Sequence, residues 1–378
     1  MGKLIFISHS GDKTGAPIVL TRIFRWAVSV EKIDAYLVFR YHGALAEELE
    51  REFGADRIIT IRRTSPRDIS KFFKPFSKLM DLWLLFALFR TLKSSAVIAN
   101  SLINTTSIVA GFLVKAKVIV WAHEVSGAIT DPFHFRSFWI KRAHAGIGVS
   151  RQSCDFLNEL GLPRSRIHLV YNGIDPGRVT LGQSPYIRKN PAESLRLGAL
   201  AIWSPNKRLD LVIETGIKVA ESGKYSMVFL DIGGPPDPWF PDLFKQMESR
   251  FKNRPDSLIL RFLGPVDDLF QFYQNLDGVM MTSDKESLPT VVLEALTQLV
   301  PVFSFGDLPG VREILGDLAL ISEERTGDGL ANEIIRFFNS TGPMNTLDTW
   351  RKSARERSQL FTLSRQWKAF EQVIADLR

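Results

Sequence analysis

The sequence predicts an α/β protein of two doubly wound domains facing a cleft, each a parallel sheet covered by helices on both faces. Three observations carry this. Apolar runs of strand length alternate with amphipathic segments of helix length. The alternation restarts once, after a turn-rich stretch. The chain has 378 residues, enough for two domains of ordinary size. No internal repeat or low-complexity tract competes with that reading.

In chain order, KLIFIS (3–8), AYLVFR (35–40), RIITIR (57–62), AVIAN (96–100), KVIVWAH (117–123) and AGIGVS (145–150) read as strands. APIVLTRIFRWAVS (16–29), GALAEELEREFG (43–54) and RQSCDFLNELG (151–161) read as helices. VYNGIDPGR (170–178) is turn chemistry, with Asn-Gly and Asp-Pro-Gly punctuating the chain. Beyond it SLRLGALA (194–201), YSMVFLDIGG (225–234), LILRFLG (258–264), LDGVMMTS (276–283) and PVFSF (301–305) form a second set of strands. The domains are therefore placed at 1–175 and 176–350, followed by a helix over 351–378.

Composition narrows the class. With 45% hydrophobic and 24% charged residues the chain is globular. Its one cysteine, Cys154, leaves no intramolecular disulfide and suits a reducing compartment. MGKLIFISHSG lacks the apolar core and cleavage signal of a secretory peptide, and MDLWLLFALFRTL (80–92) is shorter than the roughly 20 residues of a spanning helix. A soluble, cytoplasmic protein is expected. Charge is uneven: residues 1–180 hold 25 Lys and Arg against 15 Asp and Glu, and residues 181–378 hold 23 against 26. The basic half is either an ordinary surface or one that meets an anionic partner.

In doubly wound sheets ligands bind outside the carboxyl ends of the strands. The first strand runs into SHSGDKTGAP, where Gly11 and Gly15 flank a polar loop before a helix with Pro17 in its first turn. That loop either turns and caps, or faces an anion with its N–H groups. The phosphate-binding pattern G-x-x-x-x-G-K-[ST] and the dinucleotide pattern G-x-G-x-x-G are both absent. His123 follows KVIVWA and precedes Glu124; it is either a structural histidine or one that takes a proton or hydrogen bond from a substrate hydroxyl. No His/Cys set has metal-ligand spacing and no Asp-x-Asp follows a strand, so no metal site is expected. In LGALAIWSPNKRLDLVIET (197–215), Lys207 and Arg208 stand at a helix start, either as a solvated pair or as partners of a diphosphate.

The most informative stretch is DKESLPTVVLEAL (284–296). It reads as a loop and a helix starting near Pro289, with Glu286 just before the helix and Glu294 inside it. The two carboxylates can reach different parts of one extended ligand. Backbone N–H groups of Ser287, Leu288 and Thr290 face out of the helix start. Glu294, costly to bury alone, either suits the paired hydroxyls of a ribose or is ordinary, since many helices carry an N-terminal Glu and one more Glu later.

ESLPTVVLEAL, followed by PVFSFGDLPGVREIL, resembles the Glu-x7-Glu signature of family 4 retaining glycosyltransferases, which have the GT-B fold of two Rossmann-like domains. The resemblance runs along nearly the whole chain in order: TGAP, AHE, GVS (148–150), VYNGID, NKRLDLVIE, FLG (262–264) and FTLSRQWKAFEQV. It implies that residues 1–175 bind an acceptor, residues 176–350 a nucleotide-sugar, and that the C-terminal helix crosses back to the first domain. It implies that Glu294 binds the ribose, with Glu286 and Lys207 meeting the donor sugar and the diphosphate. It also brings the Gly15 loop to the phosphates and His123 beside substrate hydroxyls. The implied catalytic set is Glu286, His123 and Lys207. The implied donor-binding set is Glu294, Arg208, Gly15, Ser287, Leu288, Pro289 and Thr290.

There are departures. GALA (198–201) stands where the family often has Gly-Arg-Leu, so Arg208 is the available substitute for the missing arginine. Val300 stands where a glycine usually precedes PV, and DLPG (307–310) has one glycine where two are common. The resemblance implies transfer of a sugar from a nucleotide-diphosphate donor to a hydroxyl of a glycan or lipid-linked acceptor, in polysaccharide or cell-envelope synthesis. No cofactor, metal or nucleic-acid partner is expected. The rival readings are a nucleotide-sugar epimerase, a phosphorylase, and a non-catalytic binding module of the same fold. Finally, residues 65–95 mix Arg67, Lys71, Lys74 and Lys78 with Phe72, Phe73, Phe76, Leu79 and Trp83. They form either a buried covering helix, interrupted at Pro75, or a segment resting on the inner face of an anionic membrane.

Overall fold

A computed structural model describes residues 3–62, 74–127, 135–174, 193–340 and 347–377. The chain divides into two compact units, Met1–Gly173 with Leu363–Arg378, and Ile174–Thr362.

The first unit alternates β1 (Lys3–Ser8), α1 (Gly15–Ser29), β2 (Ala35–Tyr41), α2 (Ala44–Phe53), β3 (Ile58–Arg62), α3 (Lys74–Leu92), β4 (Ser94–Asn100), α4 (Thr105–Leu113), β5 (Lys117–Ala122), α5 (Phe135–Ile140), β6 (Ala145–Gly148), α6 (Arg151–Glu159) and β7 (Ile167–Leu169). The strands pair in parallel, in the order β3-β2-β1-β4-β5-β6-β7. Order reverses between β1 and β4, which opens a crevice at their carboxyl ends. One face of the sheet, with Ile5, Ile7, Val38 and Val97, packs under Leu85 and Phe89 of α3 and Ala110 of α4. Farther along the same face, Ala99, Val118 and Val120 pack under Ile108 of α4, Ile140 of α5 and Leu157 of α6.

α3 is pinned by charge as well as by packing. Asp81, 1% exposed, takes hydrogen bonds from Arg40 (2.9 Å) and from Arg62. Removing either arginine would leave a buried charge partly unanswered, which is the costly way to break such a cluster. Pro75, read as an interruption, falls within α3, which is described from Lys74 onward. The cations Arg67 and Lys71 and the rings Phe72 and Phe73 lie outside the described residues.

The second unit contains β8 (Ser194–Leu200), α7 (Leu209–Glu221), β9 (Met227–Gly233), α8 (Leu243–Arg250), β10 (Leu258–Gly264), α9 (Leu269–Gln274), β11 (Gly278–Met281), α10 (Thr290–Thr297), β12 (Val302–Phe305), α11 (Pro309–Leu315), β13 (Leu320–Ser322), α12 (Gly327–Phe338) and α13 (Leu347–Ser358). Its parallel sheet has the order β10-β9-β8-β11-β12-β13, reversing between β8 and β11. Each unit is thus a doubly wound parallel sheet, as the sequence predicts.

The stretch 351–378 holds the end of α13, a 3₁₀ turn at Gln359–Phe361 and a separate helix, α14 (Leu363–Ala375). α14 packs on the first unit. Its Phe370 ring stacks 5.7 Å from Phe6 and lies 5.5 Å from Trp121. With Trp367 also buried, each ring contributes about 2 kcal/mol of burial.

Candidate active site

Both reversals of strand order carry polar residues at the strand ends. In the second unit β8 leads into a loop, a 3₁₀ turn at Pro205–Lys207 and α7. β11 leads into the Glu286 loop and α10. Hydrogen bonds tie the two loops. Thr282 Oγ1 donates to the carbonyls of Lys207 (2.9 Å) and Arg208 (3.1 Å), and Asp284 N–H donates to Asn206 O at 2.8 Å. The ties bring two residues 79 positions apart into contact: Lys207 Nζ donates to Glu286 Oε1. Both side chains are partly buried, so the pair is stronger than an open surface pair.

Arg208 points elsewhere. Its backbone is left-handed (φ 50°), a conformation that favours glycine. Its guanidinium donates to Asp210 at 2.9 and 3.0 Å and to Asp284 at 3.4 Å. These carboxylates raise the Arg208 pKa further. Burial works to raise Asp210, but Arg208 outweighs it and holds the carboxyl below its usual range. Arg208 thus has its charge balanced within the protein. Ala199, where the family's arginine would stand, is buried in β8.

A third cation braces the Glu286 loop. Arg325 donates to the carbonyls of Thr282 (3.0 Å) and Ser283 (2.8 Å), to Asp284 Oδ1 (2.9 Å) and to Asp307 (2.6 Å). Close packing holds the loop from its other side: a Cβ on Gly310, in the first turn of α11, would lie 2.0 Å from Ser287 O. The single glycine of DLPG is therefore the one this contact requires.

α10 begins where the sequence suggests, with Pro289 as its cap and Thr290 its first residue. The Pro289 carbonyl accepts from Val292 and Leu293. Pro289 itself offers no donor, so helix-start donors come from Thr290 and Val291, whose N–H groups have no intrahelical acceptor. Ser287 and Leu288 are buried in the turn before it. Glu294 is buried one turn into α10, with Oε2 accepting from Tyr273 Oη at 3.2 Å. The hydroxyl lessens the burial cost expected for that carboxylate.

In the first unit the polar cluster lies after β1, β4 and β5. His123 Nε2 is 2.6 Å from Asn100 Oδ1, and Asn100 Nδ2 donates to Ala16 O at 3.0 Å. A carbonyl only accepts, so the amide nitrogen must face Ala16 and its oxygen must face His123. His123 therefore carries its proton on Nε2 and presents Nδ1 as an acceptor. Burial, helped by His9 nearby, pushes the His123 pKa down to about 3, so the ring stays neutral. Trp121 stacks on it at 5.6 Å. Glu124 turns away to the loop after β4, accepting from Ser101 Oγ and from the N–H groups of Leu102 (3.2 Å) and His123 (3.0 Å). Its burial raises its pKa against those bonds. Gly15 opens α1, exposed, with open space where a Cβ would stand.

The structure thus gathers Lys207, Glu286, Ser287, Leu288, Pro289, Thr290 and Glu294 in one unit, and His123 with the Gly15 turn in the other. Sequence reasoning missed Asn100, Tyr273 and Arg325. Among the described residues no group of three or more His, Cys, Asp or Glu side chains could hold a metal ion.

The chain is similar to known proteins along most of its length. Residues 37–178 match the family model Glycosyltransferase Family 4, and residues 194–340 match the model Glycosyl transferases group 1. No curated protein matches the chain by sequence. Among solved structures, Anabaena HepE in complex with UDP and glucose is 20% identical, with TM-score 0.77, over 99% of this chain and all of that one. Sucrose-phosphate synthase from Thermosynechococcus elongatus is 17% identical, with TM-score 0.73, over 100% and 99% of the two chains. TarM from S. aureus, in complex with UDP and α-GlcNAc-glycerol, is 14% identical, with TM-score 0.71, over 99% of each chain.

Proposed function

We propose that this chain, a glycosyltransferase of the GT-B type by its fold and by the family domains in both units, moves a sugar from a nucleoside-diphosphate donor to an acceptor hydroxyl with retention of configuration. The observation that carries the reading is the Lys207–Glu286 pair, set at the strand reversal of the second unit with Glu294 one turn into the following helix. Lys207 supplies the movable cation for the diphosphate, and the first N–H groups of α10 add donors. Glu294 takes the ribose hydroxyls. Glu286, released from Lys207 when the diphosphate arrives, meets the donor sugar near its anomeric carbon.

The bond from that carbon to the phosphate oxygen breaks, and its electron pair stays on the phosphate. The acceptor oxygen bonds the same carbon from the same face, and its proton passes to the departing phosphate oxygen. No separate base is then required. Lys207 offsets the new negative charge without a metal. His123, neutral and accepting at Nδ1, orients a substrate hydroxyl and does not shuttle a proton. The acceptor is a glycan or lipid-linked hydroxyl of polysaccharide or envelope synthesis. Solved structures of the same fold hold UDP, so UDP-sugars head the donor panel.

The test is a panel of nucleotide-sugars and acceptors, scored for nucleoside diphosphate release and for product anomer. Retained configuration, with activity surviving EDTA, is expected. Inverted product, or activity lost to EDTA and restored by Mg²⁺ or Mn²⁺, contradicts the mechanism. Donor turnover without acceptor would favour an epimerase. Binding without turnover across the panel would favour a binding module.

A further inference from the structure

α3 is apolar on two opposite faces, and the fold uses one of them. Asp81, Leu85 and Phe89 are spaced by four and point into the sheet, each under 2% exposed. Phe76, Leu79, Met80 and Trp83 recur at three and four residues on the other face, and they are 70%, 66%, 51% and 66% exposed. An apolar stripe two turns long, open to water, needs a partner.

The charges around it say which. Arg90, seven residues beyond Trp83, lies on the same face and is exposed. α4 and α5 continue the same layer over the sheet. α5 exposes the rings of Phe135 and Phe138, with the Arg142 guanidinium 3.6 Å above Phe138. Among the described residues the acids from 74 to 127 are Asp81 and Glu124, both held within the fold, and there is none from 135 to 154. Glu159 of α6, exposed, lies beside Phe135 and Phe138, so it is the α3 end of the layer that offers exposed apolar side chains and a cation with no exposed carboxylate of its own among the described residues. A second copy docked on this face through a twofold axis would bring the same cations against each other. An anionic lipid surface meets both features at once, with headgroup charge for the cations and an acyl boundary for Trp83 and Phe76.

We propose that the outward face of α3, continued by α5, docks the protein peripherally on an anionic lipid surface. Among the described residues no helix is long and apolar enough to cross a membrane. Docking is therefore interfacial and reversible. It stands apart from the transfer reaction, because the test uses neither donor nor acceptor.

The test is co-sedimentation of the full chain with vesicles of phosphatidylcholine alone or mixed with phosphatidylglycerol, with gel filtration beside it. Expected is binding that requires phosphatidylglycerol and falls as salt rises. The paired change Leu79→Ser with Trp83→Ser lowers the partition coefficient about tenfold or more. Arg90→Glu lowers it about fivefold. These side chains face solvent, so unchanged melting and circular dichroism are expected; if the serine pair fails to fold, Leu79→Ser alone serves. Three results overturn the proposal: no binding to anionic vesicles at low salt, undiminished binding by the serine variant, or a dimer that the serine variant dissolves.

Discussion

The two polar clusters occupy the same place in the same topology, yet they are built from opposite chemistry. In the first unit, an imidazole, an amide and a backbone carbonyl form a neutral chain, and burial keeps the imidazole uncharged. In the second unit, Lys207, Arg208 and Arg325 face Asp210, Asp284, Glu286 and Asp307. Position at a strand reversal selects where a ligand sits; the side chains select which part of it is met. Neutral acceptors suit hydroxyls, which carry no charge to offset. A cation suits a diphosphate, provided that it is free to turn. Arg208 and Arg325 each answer two carboxylates, whereas Lys207 answers one.

That contrast can be broken at several points. The largest effect is expected for Lys207→Ala, which removes the movable cation: kcat/KM should fall about a thousandfold, roughly 4 kcal/mol of transition-state stabilisation. Steady-state kinetics checks it. Glu286→Ala should lower kcat about a hundredfold while nucleoside diphosphate affinity stays within about threefold, because the contact proposed for it is to the sugar. Equal losses in binding and turnover would move Glu286 to the nucleotide.

The next effect belongs to the neutral cluster. Folded, His123 stays neutral down to about pH 3, whereas unfolded it takes a proton below its ordinary 6.5. The unfolded state therefore binds more protons between those values. The contribution to stability is complete above 6.5 and is lost as pH falls towards 3. By about pH 5 the loss is about 2 kcal/mol. Denaturant melts of the parent and His123→Gln at several pH values should show the acid-side slope reduced in the variant; parallel curves would contradict a neutral, buried imidazole.

Smaller again, Glu294→Ala should weaken nucleoside diphosphate binding about tenfold, the scale of one or two hydrogen bonds lost. The smallest effect is expected for Arg208→Ala, under about threefold in the same calorimetric titration, because its charge is already balanced by Asp210 and Asp284. A tenfold loss there would make Arg208 the replacement for the absent arginine at Ala199.

The parallel sheets were legible because buried strands write apolar runs that need no partner to be recognised. β7 and β13 were not, since three-residue strands leave no pattern. α4 was missed for a different reason: TTSIVAGFL is buried on most sides and has no polar face to set a period. Lys207 and Glu286 could be singled out from strand-end loops, although their contact across 79 residues is a product of the fold. Tyr273 and Arg325 act on segments distant in sequence, so nothing local marks them. Asn100 was within reach: it ends the strand AVIAN, and the rule that picked out His123 applies to it equally.

The most direct test of the account is calorimetric titration of a nucleoside diphosphate into the parent protein, Lys207→Ala and His123→Ala. The account predicts about tenfold or greater weakening for Lys207→Ala and an unchanged dissociation constant for His123→Ala, because the diphosphate is met by charge and the imidazole meets a sugar or acceptor hydroxyl. Weakening by His123→Ala as large as that by Lys207→Ala, or none by Lys207→Ala, would contradict it.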